Sequence, residues 1–156
     1  MSKNNLRATG RNTGFTLVEV LIALIVLSVG MLGIAGLYVH SMQAGRTSMF
    51  RHHAVTLAGD VAERIRANPR AGIIYAGPGA NNQCAGMGRN CSREEMAQHD
   101  IFTWSQQAGD TLPDGAVSVV YNGGVMPPEY LITVSWSEAG QQPSPSYTIS
   151  IRAMEI

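Results

Sequence analysis

Cysteine is scarce in this chain: 156 residues hold two, Cys84 and Cys91, too few and wrongly spaced for a zinc site. An excess of positive charge is also missing. The 11 basic and 11 acidic residues cancel, and three of the basic ones, Lys3, Arg7 and Arg11, crowd into the first 14 positions. Without those positions the chain carries 8 basic against 11 acidic residues, a formal charge of −3. A mildly acidic body with no aromatic-basic cluster lacks the surface that non-specific nucleic-acid binding needs, so no nucleic acid is expected as a partner. The histidines His40, His52, His53 and His99 have no companions at metal-ligand spacing. His99-Asp100 invites comparison with a catalytic dyad, yet neighbours along a helix do not face each other and no nucleophile motif accompanies them. No repeat or low-complexity tract is present. No metal, cofactor or enzymatic activity is expected.

What the chain does have is one long apolar run. From Val20 to Val39, twenty consecutive residues carry no formal charge, and only Ser28 and Tyr38 bring hydroxyls. As a helix this run is about 30 Å long, enough to cross a bilayer. A secretory signal would have an apolar core of about 7–15 residues, removed by a cut on its far side. Here the run is longer and the plausible cut precedes it, so the mature chain keeps its anchor. The basic leader holds its own side in the cytoplasm, which places the large part in the periplasm or beyond.

One acid, Glu19, stands at the edge of the span, where a carboxylate costs roughly 2.5 kcal/mol or more. A cut between Gly14 and Phe15 would create an α-amino group four residues from Glu19. In an assembly, a neighbour's amine could neutralise the carboxylate.

The order of basic leader, Gly14, Phe15, Thr16, Leu17 and then Glu19 resembles the type IV prepilin signal. The resemblance implies cleavage after Gly14 by a prepilin peptidase, N-methylation of Phe15, and packing of the apolar helix into a filament with Glu19 pairing to the Phe15 amine of a neighbour. The peptidase and its methyl donor act on the chain and are not its cofactors. Small residues Ser28, Gly30, Gly33, Ala35 and Gly36 would let helices approach closely. No Pro stands near Gly36, where major pilins usually carry one.

Beyond the span the helical period continues. Phe50, Ala54, Leu57, Ala58, Val61 and Ile65 form an apolar stripe opposite Arg51, His52, Thr56, Asp60, Glu63 and Arg66. The helix is expected to stop before Asn68-Pro69, giving a span from about Thr16 to Arg66 on the order of 75 Å long. The arginines Arg46, Arg51, Arg64, Arg66 and Arg70 read as a solvated face.

Residues 70–91 read as a surface loop rich in Gly and Asn, including Gly72, Gly77, Gly79, Gly86 and Gly88. Within it, Cys84 and Cys91 are expected to form a disulfide as a structural clip, since periplasmic exposure favours oxidation. Ser92 and Glu95 make a capping box for a short helix over 93–108, closed by Gly109 and carrying Ala97, Ile101, Trp104 and Ala108 inward. Three alternating runs follow, over about 116–121, 129–137 and 146–154, separated by turn-rich Asn122-Gly123-Gly124 and Ala139 to Pro145. An antiparallel meander is expected, covered on its apolar face by the Phe50–Ile65 stripe, with Trp104 and Trp136 in the core. The domains are therefore a leader (1–14), an assembly helix (15–39) and a head (40–156), in an α+β fold of about 100 soluble residues.

Two further stretches, Leu27 to Leu37 (LSVGMLGIAGL) and Val61 to Pro69 (VAERIRANP), resemble the PilV-type minor pilins, as do the small cysteine loop before a helix bearing Trp104 and the Leu112-Pro113 turn. This resemblance implies an accessory subunit that primes pilus assembly near the tip. Its partners would be other minor pilins, the major pilin, prepilin peptidase and the inner-membrane assembly platform. It would sit in the inner membrane first and in the pilus later. The rival readings are a minor pseudopilin of type II secretion and a tip adhesin binding through the loop from Gly72 to Cys91.

Overall fold

A computed structural model describes residues 14–85 and 89–153. The leader up to Thr13, Gly86 and Gly88 of the cysteine loop, and Met154 of the third expected strand lie outside the described residues. The chain divides into two compact units, Met1–Gln43 and Ala44–Ile156. Helix α1, Leu17–Ala67, contributes to both.

In the first unit, α1 is apolar all round and its side chains are exposed from Leu17 onward. It is long and apolar enough to cross a membrane. No Pro interrupts it, and the glycines at 30, 33 and 36 do not break it.

The second unit is built on the rest of α1. Ala54, Leu57, Ala58, Val61, Ala62 and Ile65 are buried, as the period of the stripe requires. The helix ends at Ala67, where Asn68 donates back to the carbonyls of Arg64 and Ile65 and Pro69 follows. Three strands, β1 (Ala116–Asn122), β2 (Glu129–Ser135) and β3 (Ser146–Arg152), form an antiparallel sheet in the order β1-β2-β3. Val119 pairs with Ile132, which pairs in turn with Ile149. That register puts every second side chain of each strand on one face, and Tyr130, Ile132, Val134 and Trp136 join the buried core with Leu57, Val61 and Ile65. The opposite face carries the pair Val120–Leu131 and the hydroxyl contact Thr133–Thr148.

Helix α2, Arg93–Thr111, starts with the full capping box: Ser92 Oγ accepts from the Glu95 N–H, and the Glu95 carboxylate accepts from the Ser92 N–H. Ala97, Trp104 and Ala108 are buried. Both tryptophans are core residues, Trp104 1% and Trp136 2% exposed.

Several boundaries differ from the sequence expectation. Helix α2 runs through Gly109 and closes on Leu112, whose N–H bonds the Ala108 carbonyl. The glycine that matters there is Gly115, because a Cβ on it would lie 2.1 Å from that same carbonyl oxygen. The expected loop over 70–91 opens with a 3₁₀ helix, Pro69–Ala76, kinked at Gly72 (φ 54°) and burying Ala71 and Tyr75. Pro69 presets the first turn, and Tyr75 stacks on Trp104 with ring centroids 5.7 Å apart. The following stretch is tied to α2: Ala80 N–H donates to the Gln98 carbonyl and Asn82 Nδ2 to the Glu95 carbonyl, both at 2.9 Å. β2 stops at Ser135, since Trp136 N–H still reaches Pro145 but Ser137 N–H turns to Pro113. β3 ends at Arg152.

Candidate functional site

At the start of α1, Gly14, Phe15 and Thr16 precede the first helical residue, and all three are exposed. Thr16 caps the helix. Its carbonyl accepts from the N–H groups of Glu19 and Val20, and its Oγ1 accepts from the Glu19 N–H at 3.3 Å. Thr16-Leu17-Val18-Glu19 is thus a T-x-x-E capping sequence used on one side only. The Glu19 carboxylate has no hydrogen-bond or ion-pair partner among the described residues.

That leaves an acid in the first turn of an apolar helix, where the macrodipole favours it, with its oxygens free for a donor from another molecule. The Phe15 backbone is the new terminus that a cut after Gly14 would expose. Further along, the Ser28 hydroxyl donates to the Leu24 carbonyl, which satisfies it without an outside partner.

In the second unit the sulfurs of Cys84 and Cys91 are bonded, with Cα atoms 5.9 Å apart. The Arg89 guanidinium donates to the Asn82 carbonyl inside the same loop.

A polar cluster that sequence reasoning missed joins α1, the 3₁₀ helix and α2. Arg64 Nη1 donates to Asp100 Oδ1 at 2.8 Å and its Nε to Asp60 Oδ2 at 3.2 Å. The Tyr75 hydroxyl donates to Asp100 Oδ2, and Trp104 Nε1 to Asp60 Oδ2, each at 3.3 Å. Arg64 and Asp60 are therefore not simply part of a solvated face. Burial works against the Arg64 cation, but Asp60 and Asp100 outweigh it and hold the guanidinium above its ordinary pKa. Burial likewise pushes the Tyr75 phenol well above its ordinary range, with Asp100 adding to the shift and Asn68 opposing it. The signal for this cluster was present: Asp100 continues the spacing of Ala97, Ile101 and Trp104, so it falls on the apolar face of α2. A second cluster centres on Glu138, which accepts from Thr47 Oγ1 and Trp136 Nε1, each at 2.8 Å, and from Gln141 Nε2 at 3.1 Å.

The sequence neighbours His52 and His53 have ring centroids 6.2 Å apart, and the structure gathers the four histidines into no common site. His40 and His52 are exposed, His53 and His99 are half-buried, and Nδ1 of His99 has no partner among the described residues. Among the described residues no group of His, Cys, Asp or Glu could hold a metal ion. A cavity of about 200 Å³ between the 3₁₀ helix, α2 and β1 is lined by Tyr75, Trp104, Ser105 and Val117 among others, with no carboxylate, imidazole or amine on its wall.

A long apolar N-terminal helix, a three-stranded antiparallel sheet and further helices make this a type IV pilin-like α+β fold. Two family models match the chain: the prokaryotic N-terminal methylation motif over residues 10–35 and the type IV pilin Tt1218 family over residues 36–102. Both support assignment to the type IV pilin superfamily, and the methylation motif implies prepilin peptidase processing. No curated protein and no solved structure matches the chain. The apolar helix and the motif fit membrane anchoring and incorporation into a pilus or pseudopilus.

Proposed function

We propose that the chain is a minor pilin that primes type IV pilus assembly by packing with other minor pilins near the tip. The observation that carries this reading is the Glu19 carboxylate, unpartnered among the described residues, in a capped first turn, three residues after the cap and four after Phe15, under a match to the methylation motif. In this reading the peptidase cuts after Gly14, Phe15 is methylated, and Glu19 accepts the Phe15 amine of a neighbouring subunit as the helix leaves the bilayer. Pairing removes most of the cost of carrying the acid into an apolar setting. The head faces the periplasm before assembly and meets its partners laterally. The choice of a pilus subunit over a pseudopilus subunit rests on the two stretches Leu27 to Leu37 and Val61 to Pro69 and their likeness to PilV-type sequences.

The test is co-purification of the full chain in detergent against the other minor pilins and the minor pseudopilins of the same cell. Selective recovery of the pilus set is expected. Recovery of the secretion set, or of neither, overturns the proposal.

A further inference from the structure

The residues that follow the apolar run are unusual in charge. From Val20 to Gly59 there is no Asp or Glu, and the formal cations are Arg46 and Arg51. Both are exposed and neither makes an ion pair among the described residues. Glu138, the carboxylate hydrogen-bonded to this part of α1 through Thr47, shares its oxygens among Thr47, Trp136 and Gln141. Tyr38, 67% exposed, closes the apolar run with an amphipathic ring of the kind that settles at a membrane–water boundary.

Arg46 follows Val39 by seven residues, about 10 Å along a helix. Helical side chains lean back toward the N-terminus, and a long arginine can extend in that direction. The Arg46 guanidinium can therefore return to the polar layer, roughly 5–8 Å thick, that covers each side of the hydrocarbon. Arg51, about 18 Å past Val39, cannot.

We infer that Arg46 is a phospholipid-binding residue, engaging the phosphate of an anionic headgroup in the leaflet from which α1 emerges while Tyr38 marks the depth of the anchor. A guanidinium supplies two parallel donors that match two phosphate oxygens, and the one carboxylate that the described contacts bring to this part of α1, Glu138, already shares its oxygens among Thr47, Trp136 and Gln141. The inference rests on the membrane-anchored reading. Its consequence is that a subunit entering a filament must exchange a lipid phosphate for another acceptor at Arg46.

The experiment reconstitutes the full chain into nanodiscs of equal phosphatidylglycerol and phosphatidylcholine and counts the lipids it retains by native mass spectrometry. Wild type is expected to retain phosphatidylglycerol about five-fold over phosphatidylcholine, the size of one basic side chain at an anionic surface. Arg46→Gln should bring the ratio close to parity and Arg51→Gln should leave it unchanged. No preference in wild type, an unchanged ratio in Arg46→Gln, or an equal loss in Arg51→Gln overturns the inference. A chain that fails to enter nanodiscs at all would instead overturn the membrane-anchored reading.

Discussion

Arg64 and Asp100, 36 residues apart in the chain, meet at 2.8 Å in an ion pair whose acid is 4% exposed and whose base is 48% exposed. The pair fastens α2 to α1 through an acid that the apolar face of α2 carries inward. Arg64→Ala would remove the ion pair from a buried carboxylate that still accepts from the Tyr75 hydroxyl, and the cost is expected to be about 1–3 kcal/mol, reduced from a fully buried pair by the exposure of the guanidinium. Arg66→Ala, which breaks an exposed pair with Glu63, should cost about 0.5 kcal/mol or less. Urea unfolding of the two variants side by side measures the difference.

Tyr75 gives the head an alkaline limit. Its phenol titrates higher in the fold than in the unfolded chain, chiefly because it is buried. Its contribution is therefore fully present below the ordinary tyrosine pKa of about 10 and is lost as pH rises through the higher folded value. Tyr75→Phe is expected to be slightly less stable at neutral pH, by roughly 0.5–1.5 kcal/mol for the lost hydrogen bond to Asp100, but to show a flatter decline above pH 10. Melting temperature followed from neutral to alkaline pH checks both parts.

Loss of the disulfide should destabilise the head without dissolving the fold. For a ring this small the chain-entropy model gives about 2.5 kcal/mol. The bonds from Ala80 and Asn82 to α2 do not depend on it. Cys84→Ser with Cys91→Ser should therefore lower the unfolding free energy by about that amount and leave the helical circular dichroism signal intact.

Gly115→Ala is expected to cost about 1–3 kcal/mol, because the added methyl would overlap the Ala108 carbonyl rather than the end of a flexible side chain. Gly109→Ala, with nothing within 4 Å of the new Cβ and a helical setting, should be neutral or stabilising by up to about 1 kcal/mol. Thermal melts should fall for Gly115→Ala and hold or rise for Gly109→Ala.

Glu19→Ala separates processing from assembly. The leader is expected to be removed as in wild type, seen as the same shift in mass. Recovery with partner subunits should fall about ten-fold or more, the value of a charge-assisted hydrogen bond. Equal recovery would rule out Glu19 as the assembly contact.

Much of this was legible in the sequence because the signals were periodic or local. The stripe Phe50–Ile65, the alternation around Ile132, the capping box at Ser92 and Glu95 and the stop at Pro69 each depend on near neighbours in the chain. The 3₁₀ helix was hidden because its eight residues are held by a tertiary contact, Tyr75 on Trp104, that no local pattern announces. Gly109 looked like a helix stop because glycine often takes a left-handed turn there, yet the chain reserves positive φ among its described glycines for Gly72 and Gly140. Arg64 and Asp60 looked solvated because each is polar on a polar face; their role comes from Asp100 and Trp104, which lie 36 and 44 residues further on. Thr16 and Glu19 carried a capping pattern beneath the processing motif, and the two readings coincide in the same four residues.

The division of the chain at Gln43 and Ala44 also foretells how its inherited lesions will sort. Among the described residues, side chains before that point are exposed and pack into no core, so substitutions there should leave normal amounts of a protein that cannot do its job. Substitutions after it, at Leu57, Trp104 or Ile132, should instead remove the protein from the cell through degradation of its unfolded form. A genetic screen reading both abundance and phenotype would divide into two classes at that boundary.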